Sequence, residues 1–213
     1  MNEILAFTAK RIKPCPSTLL ITPTQTILRT VRSELKEIGQ ELTQLQLIAD
    51  SIPLYTSEKF SVLGPVIGMN AVNLALQPLL VERINEVYLI SVAGSNNTNF
   101  SIGQILQGAS FSKENGESYH CNSKFKEFQS ADILSVNDPY SENGNFDAYD
   151  LVDMEAAEIA KLCFKYGKKF CSLFCISDAW QSKEKKWASG FSTKELNLSL
   201  KQASRFILEI IKT

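Results

Sequence analysis

The sequence is poor in the residues that most often bind metal ions or form disulfide bonds. Its 213 residues include a single histidine, His120, and five cysteines, with no Cys-x-x-Cys pair among them. An odd number of scattered cysteines does not make a disulfide framework, and one histidine in a polar stretch does not complete a zinc site. We therefore predict no metal ion and no disulfide framework.

The sequence also lacks an excess of charge and a long apolar run. It has 22 Lys and Arg residues against 23 Asp and Glu residues, so its formal net charge is -1. That balance offers no basic field for nucleic acid or anionic lipid. No apolar run approaches the roughly 18 residues that span a bilayer, and residues 1–4 lack the basic start of a signal peptide. We expect a cytoplasmic protein that binds neither nucleic acid nor membrane.

Several common catalytic and nucleotide-binding motifs are absent. The sequence has no Gly-Lys-Ser/Thr phosphate loop, no Gly-x-Gly-x-x-Gly after a strand, no Gly-x-Ser-x-Gly elbow and no His-Glu-x-x-His. Its hydrophobic fraction of 44% is ordinary for a folded domain, and its length favours a single one. Any function must therefore be inferred from less familiar residue patterns.

What the sequence does contain is an alternation of strand and helix patterns. Short apolar segments at 18–22, 86–92, 102–111, 131–136 and 169–176 predict strands, and the helical spacings predict helices at 25–38, 70–83, 150–166 and 194–211. Several strands are apolar throughout, so we predict an α/β fold with a central mixed β-sheet flanked by helices. We assign 18–213 to this domain and interpret 1–17 as an N-terminal arm or extra strand.

Polar residues follow several of the predicted strands, where ligands of such sheets usually bind. The loops to consider are 23–25, 64–68, 93–97, 137–140 and 177–178. Taken singly, each candidate has an ordinary explanation: Asp178 as the cap of a short helical turn, Glu155 as an acid favoured near a helix start, and Tyr140 as a turn aromatic. Their combination carries more information.

Two segments about twenty residues apart carry a family resemblance. Val152-Asp153-Met154-Glu155-Ala156-Ala157 opens a predicted helix, and Phe174-Cys175-Ile176-Ser177-Asp178 ends a predicted strand. This pair of motifs resembles the nucleoside phosphorylase and nucleosidase superfamily, which includes purine nucleoside phosphorylases, methylthioadenosine/S-adenosylhomocysteine nucleosidases and futalosine hydrolases. Segments 18–24, 66–71, 89–95 and 100–106 look like further family segments in the same order, so the resemblance spans roughly residues 18 to 212.

The resemblance implies a single-domain nucleoside phosphorylase fold and cleavage of the N-glycosidic bond of a purine nucleoside or a modified relative. It implies no cofactor, with phosphate left open as a co-substrate, and a homodimer or larger homo-oligomer. Asp178 would protonate or hydrogen-bond the leaving base, and Glu155 would accept hydrogen bonds from the ribose hydroxyls. The remaining predicted substrate-binding residues pack against ribose or base, or line the site: Met154, Tyr140, Ser177, Gly94 and Ala93.

The sequence departs from the family pattern at the groups that supply the nucleophile. Neutral Gln25 stands where hydrolases of the family carry a water-activating glutamate, and we predict that it orients water. Ile90 stands where the phosphorylases hold phosphate with arginine, and Phe174 replaces a further arginine. We favour hydrolysis because the phosphate arginine is missing. Phosphorolysis and nucleoside binding without turnover remain the alternatives.

Overall fold

The structure is a computed structural model that describes residues 14–49, 51–95, 97–121, 125–138, 146–181, 186–189 and 194–212. Within these ranges the chain forms eleven strands and four α-helices. In chain order they are β1 (Thr18–Ile21), α1 (Gln25–Glu37), β2 (Thr43–Ile48), β3 (Ile52–Thr56), β4 (Ser61–Leu63), α2 (Met69–Glu82), β5 (Glu86–Ser95), β6 (Ile105–Lys113), β7 (Ser118–His120), β8 (Ser130–Ser135), β9 (Leu151–Asp153), α3 (Ala156–Lys165), β10 (Lys169–Gln181), β11 (Lys186–Ser189) and α4 (Lys194–Lys212).

All eleven strands belong to one mixed sheet, part of which closes on itself. Strand β10 pairs in parallel with β5 and antiparallel with β6. Strand β6 pairs with β8, β8 with β9, and β9 returns to the end of β5, so five strands form a ring. The first half of β5 instead pairs with β1, from which β4, β3 and β2 extend the sheet. The long strand β5 thus belongs to both parts.

Helices cover the sheet on two sides, and each side has its own hydrophobic core. Helices α2 and α3 pack in one core, which includes Leu76 and Ile159. Helices α1 and α4 pack in the other, which includes Leu28 and Ile207. None of the described helices is long and apolar enough to cross a membrane. The predicted α/β fold with a mixed sheet flanked by helices is confirmed.

The first helix illustrates how local sequence sets these elements. Ile27, Leu28, Val31 and Leu35 recur at helical spacing and are all buried. The hydroxyl of Thr24 accepts a hydrogen bond from the Ile27 amide at 3.3 Å, which caps the amino terminus. Helix α1 therefore begins immediately after β1, and the 23–25 loop is as short as the sequence predicts.

The predicted helix over 150–166 is wrong at its start. Residues Leu151–Asp153 form strand β9, and α3 begins only at Ala156. Leu151 and Val152 pair with Ser95 and Gly94 of β5, and both are buried. Burying two apolar residues between neighbouring strands outweighs extending the helix, so Glu155 lies at the N-cap of α3 rather than inside a helix.

Other boundaries also differ from the prediction. Strand β5 continues through residues 93–95, which the sequence suggests as a turn, because β9 and β10 both pair with them. Strand β10 continues through Asp178 to Gln181 because β11 pairs with its end. Residues 118–120 form β7 and residues 186–189 form β11, and neither is among the strands predicted above. Strands β2 and β3 have no counterpart in the prediction.

Candidate active site

The sheet register brings the predicted loops to one edge. Ile21 lies opposite both Leu63 and Leu89, so the loops after β1 and β4 emerge beside the middle of β5. Further along β5, Gly94 lies between Val152 of β9 and Asp178 of β10. The ends of β1, β4 and β9 and the Ser177–Asp178 stretch of β10 therefore lie along the second half of β5. Ligands of α/β sheets characteristically bind at such carboxyl ends of strands.

Strand β10 contributes Ser177 and Asp178 at an irregular point of the sheet. The register with β5 shifts between Ile176 and Asp178, which leaves Ser177 outside the regular ladder. The Ser177 hydroxyl lies 2.7 Å from Asp178 Oδ2 and 3.3 Å from the Ala93 carbonyl oxygen. Its single proton favours the shorter contact, which is to the Asp178 carboxyl oxygen. Asp178 is therefore held by its neighbour within a strand, and the alternative that it caps a helical turn is wrong.

The turn between β9 and α3 contributes Met154 and Glu155. Glu155 is the N-cap residue, with φ -135° and ψ -34°, yet its side chain does not cap its own helix. Instead, Glu155 Oε1 accepts a hydrogen bond of 3.0 Å from the Gly68 amide, just before α2. Gly68 has φ +86°, a conformation that favours glycine. The buried Glu155 carboxyl thus ties two loops of the site together.

Asp153 and Ser135 cap α3 in place of Glu155. Asp153 Oδ2 accepts hydrogen bonds from the amides of Glu155 and Ala156, at 3.2 and 2.8 Å. Asp153 Oδ1 accepts one from the Ser135 hydroxyl, and the Ser135 oxygen accepts one of 2.8 Å from the Ala157 amide. Three consecutive backbone amides are therefore satisfied by two buried side chains.

The two carboxyl groups of this turn influence one another electrostatically. Burial raises the pKa of Asp153 to about 6, although its three hydrogen bonds oppose the rise. Burial, followed by the negative charge of Asp153, raises the pKa of Glu155 to about 8. The two carboxyl groups therefore disfavour carrying a negative charge at the same time.

Unlike the turn between β9 and α3, the three positions that the sequence analysis links to the nucleophile hold neutral or apolar side chains. Gln25 is the first residue of α1 and is exposed. Ile90 and Phe174 are fully buried, Ile90 in the core of α1 and α4 and Phe174 in the core of α2 and α3. The two positions at which the family would carry arginine are therefore filled by apolar side chains within hydrophobic cores.

The structure brings six predicted residues around one stretch of β5. Ala93 and Gly94 lie on β5, Ser177 and Asp178 lie beside them on β10, and Met154 and Glu155 follow β9. Gln25 follows the neighbouring strand β1. Tyr140 lies outside the described residues, so its predicted stacking role stays a prediction. The catalytic and binding roles of the other residues likewise stay predictions.

The sequence analysis did not single out Asp153, Ser135 or Gly68. An acidic residue three positions before the first alanine amide of α3 is a capping pattern, so Asp153 could have been found once the helix start was placed correctly. Ser135, by contrast, is brought to this turn by the pairing of β8 with β9, opposite Asp153. No local sequence pattern reports that juxtaposition.

A polar cavity of about 380 Å³ lies between the start of α2 and α3, near the turn between β9 and α3. Glu158, one turn beyond Glu155, is ion-paired with Lys113 and accepts a 2.5 Å hydrogen bond from Asn73. None of the predicted site residues that the structure describes lines this cavity. We therefore define the candidate site by the convergence of loops at the end of β5 and not by this cavity.

A family model and solved structures connect this chain to the nucleoside phosphorylase and nucleosidase superfamily, the first by part of its sequence and the second by its fold. The family model described as the phosphorylase superfamily matches residues 133–212, the part of the chain that includes Met154–Glu155 and Ser177–Asp178. Comparison with curated protein sequences finds no match. The resemblance predicted from the sequence is confirmed by this family match and by the fold.

Solved structures share the fold over nearly their full length. A 5′-methylthioadenosine/S-adenosylhomocysteine nucleosidase from Helicobacter pylori, in complex with butyl-thio-DADMe-Immucillin-A, has a TM-score of 0.73 and 14% identity, covering 94% of this chain and 99% of its own. A futalosine hydrolase from the same organism has a TM-score of 0.72 and 15% identity, with the same coverage. A nucleosidase from Chlamydia trachomatis has a TM-score of 0.65 and 20% identity, covering 92% and 97%.

Proposed function

We propose that this protein is an enzyme that cleaves the N-glycosidic bond of a purine nucleoside or a modified nucleoside, with water as the favoured nucleophile. The observation that carries the proposal is that β9, which leads into Met154–Glu155, and β10, which contains Ser177–Asp178, both pair with Gly94 of β5. The family match over 133–212 and the shared fold support an enzyme of the nucleosidase or nucleoside phosphorylase class.

Asp178 acts on the base in this proposal. When the bond between ribose C1′ and the purine nitrogen breaks, its electron pair moves into the base, and a proton or hydrogen bond from a carboxyl group stabilises that charge. Asp178 is half-buried and bonded to Ser177, so its carboxyl is oriented but still accessible. A residue with both properties suits a group that must exchange a proton with a ligand.

Glu155 and Met154 act on the sugar. The Gly68 amide donates a hydrogen bond to one oxygen of the Glu155 carboxyl. Because Asp153 caps α3, the Glu155 carboxyl is not needed as the cap. The Glu155 carboxyl can therefore bond the ribose hydroxyls, and once ionised it supports positive charge on the sugar ring. Met154, which is partly exposed beside it, supplies a polarizable apolar surface for the ribose.

Water is the favoured nucleophile because the positions expected to hold phosphate are apolar. Phosphate carries at least one full negative charge and is usually bound by arginine or by several amides. Ile90 and Phe174 offer neither, since both side chains are buried in hydrophobic cores. A water molecule is uncharged and needs only hydrogen bonds. The side-chain amide of Gln25, at the start of α1, is the group that would orient it. Gln25 cannot act as a general base, so we expect slow turnover.

The neutral and apolar side chains at the nucleophile positions also support a second candidate function, which is nucleoside binding without cleavage. If no group activates the nucleophile, the site binds a nucleoside without cleaving it, and the fold alone does not decide between enzyme and binding protein. Neutral Gln25 together with apolar Ile90 and Phe174 is the specific feature that supports this alternative. Phosphorolysis would require phosphate-binding groups other than these.

One experiment separates the candidates. The protein is incubated with 5′-methylthioadenosine, adenosine, inosine and guanosine, each with and without phosphate, and free base is quantified by chromatography. Base release without phosphate supports a hydrolase, whereas release only with phosphate indicates a phosphorylase. Saturable binding with no base release indicates a binding protein, and the absence of both binding and release contradicts the proposal. An Asp178→Asn sample controls for contaminating nucleosidase.

The cellular setting is part of the same proposal. We place the protein in the cytoplasm as a homodimer or larger homo-oligomer, with no metal ion or cofactor and a preference for purines. The exposed side chains of Leu74 and Val81 on α2 give an apolar surface that supports self-association. Size-exclusion chromatography with light scattering tests this assembly, and a monomer at micromolar concentration would contradict it.

A further inference from the structure

We propose that Asp153 and Ser135 are positioning residues that hold the Met154–Glu155 turn in the conformation needed to bind the sugar of the substrate. The inference rests on the proposed function, because it assigns these residues a task in that same site. Neither side chain is expected to contact the ligand, since both are buried beneath the turn, with 5% or less of their surface exposed.

The first argument concerns which side chains accept hydrogen bonds from the backbone amides at the start of α3. A helix leaves its first amides without internal partners, and an acidic N-cap residue usually accepts a hydrogen bond from one of them. Here Asp153 takes the amides of Glu155 and Ala156, and Ser135 takes that of Ala157. The N-cap carboxyl of Glu155 is thereby directed away from its own helix and toward Gly68.

The second argument is that the two residues restrain each other. The Ser135 hydroxyl donates to Asp153 and accepts from Ala157, so its proton and one lone pair are both used. Asp153 is held by three donors, and its strand register places it directly opposite Ser135. A network in which each member has its partners is rigid, and a rigid support keeps a binding carboxyl in place.

The third argument is location. Ser135 ends β8 and Asp153 ends β9, two parallel strands of the ring. The turn is consequently fixed to the sheet on one side and, through Glu155, to the start of α2 on the other. Loss of Asp153 would leave buried backbone amides without acceptors and release the turn, although the strands themselves would keep their pairing.

Amide hydrogen exchange tests, without any ligand, whether Asp153 holds the Met154–Glu155 turn. Amide hydrogen exchange in Asp153→Ala should become at least about 10-fold faster at Glu155, Ala156 and Ala157, while amides near the other end of α3, such as Cys163, remain protected. Asp153→Asn retains a carbonyl acceptor for the Glu155 and Ala156 amides and should restore most of their protection. Unchanged exchange at the three amides in Asp153→Ala would overturn the proposal.

The effect on the site is tested by a double-mutant cycle in the Asp178→Asn background, which is expected to stop turnover. Asp153→Ala should weaken binding of 5′-methylthioadenosine roughly 2- to 30-fold, the range expected for losing a helix cap, and should change adenine binding less than 2-fold. When Glu155→Ala is already present, Asp153→Ala should add less than 2-fold, because its effect passes through Glu155. Equal losses in the two backgrounds would overturn the positioning role.

Two further measurements separate this proposal from a general loss of stability. Ser135→Ala should weaken nucleoside binding in the same direction as Asp153→Ala. Ser172→Ala, which removes another buried serine hydroxyl whose oxygen has no partner among the described residues, should leave nucleoside binding unchanged. Equal loss in both serine variants would contradict the proposal. If the parent protein binds no nucleoside, the proposed function fails, while hydrogen exchange still decides whether Asp153 holds the turn.

Discussion

The sugar side and the nucleophile side of the candidate site are built very differently. On the sugar side, Glu155 is buried and bonded to Gly68, and Asp153 beneath it is bonded to three donors. On the nucleophile side, Gln25 is exposed at the start of α1 and carries no charge. In the first region the carboxyl proposed to bind the sugar is held by a dense network, whereas Gln25 in the second region cannot act as a general base.

This difference indicates that holding a nucleoside and activating a nucleophile are separable properties of the fold. The groups proposed to bind sugar and base lie at strand ends and a helix start, so the ring of strands fixes their positions. Nucleophile activation depends on single side chains, and these can be replaced without disturbing the core. Accordingly, we expect nucleoside affinity to be preserved better than the rate of cleavage.

The largest expected effect concerns the base side of the site. Asp178→Asn should lower the rate of base release by roughly 10²- to 10⁴-fold, because an amide cannot donate the proton that general acid catalysis requires. Nucleoside binding and the unfolding midpoint should change little. The matched control is Asp132→Asn, an exposed acid on β8, which should keep full activity. A loss below about 10-fold in Asp178→Asn would mean that the base leaves without this group.

The next prediction tests whether a carboxylate at position 25 supplies the missing general base. Gln25→Glu should raise base release in the absence of phosphate, by up to the roughly 10²- to 10⁴-fold associated with general-base catalysis. The gain is smaller if the new carboxylate lies more than about 3 Å from the water. Gln40→Glu, a similar change beyond the end of α1, serves as the control. No gain, together with intact nucleoside binding, would indicate that the site lacks more than one group.

The sugar side is tested by selective loss of affinity. Glu155→Ala should weaken 5′-methylthioadenosine roughly 10- to 100-fold, the range for hydrogen bonds that involve a charged group, while adenine binding is preserved. Calorimetric titration of both ligands measures the difference. Glu41→Ala, which removes an exposed carboxyl, should change neither affinity. Equal weakening of nucleoside and base would contradict the assignment of Glu155 to the ribose.

The last prediction concerns the stability of the protein rather than its activity, and it is a pH dependence of unfolding. Folding raises the pKa of Glu155 from 4.5 to about 8, so between these values the folded protein holds more protons than the unfolded chain, and stability falls as pH rises. One proton corresponds to about 1.4 kcal/mol per pH unit.

Urea unfolding of the parent protein and of Glu155→Gln at pH 5.5, 6.5 and 7.5 measures this dependence. Glu155→Gln should remove most of the decline above pH 6, and the part that remains below pH 6 belongs to Asp153, whose pKa folding raises to about 6. Identical slopes above pH 6 would show that Glu155 titrates normally.

The sequence was sufficient for the elements that have a strong local pattern. Helix α1 follows from its apolar spacing and Thr24, and the positions of Ser177 and Asp178 follow from an apolar strand and a family motif. The sequence was insufficient where long-range pairing decides. Leu151 and Val152 read as the first turn of a helix, yet pairing with β5 makes them a strand, and Ser135 reaches Asp153 only through pairing of β8 with β9.

The most direct test of the account is the identity of the sugar product. The parent protein is incubated with 5′-methylthioadenosine, once in phosphate-free buffer and once with phosphate in large excess over the substrate. The products are resolved by mass spectrometry. We predict adenine and free 5-methylthioribose at the same slow rate in both buffers. Formation of 5-methylthioribose 1-phosphate, with release of adenine only when phosphate is present, would contradict the account.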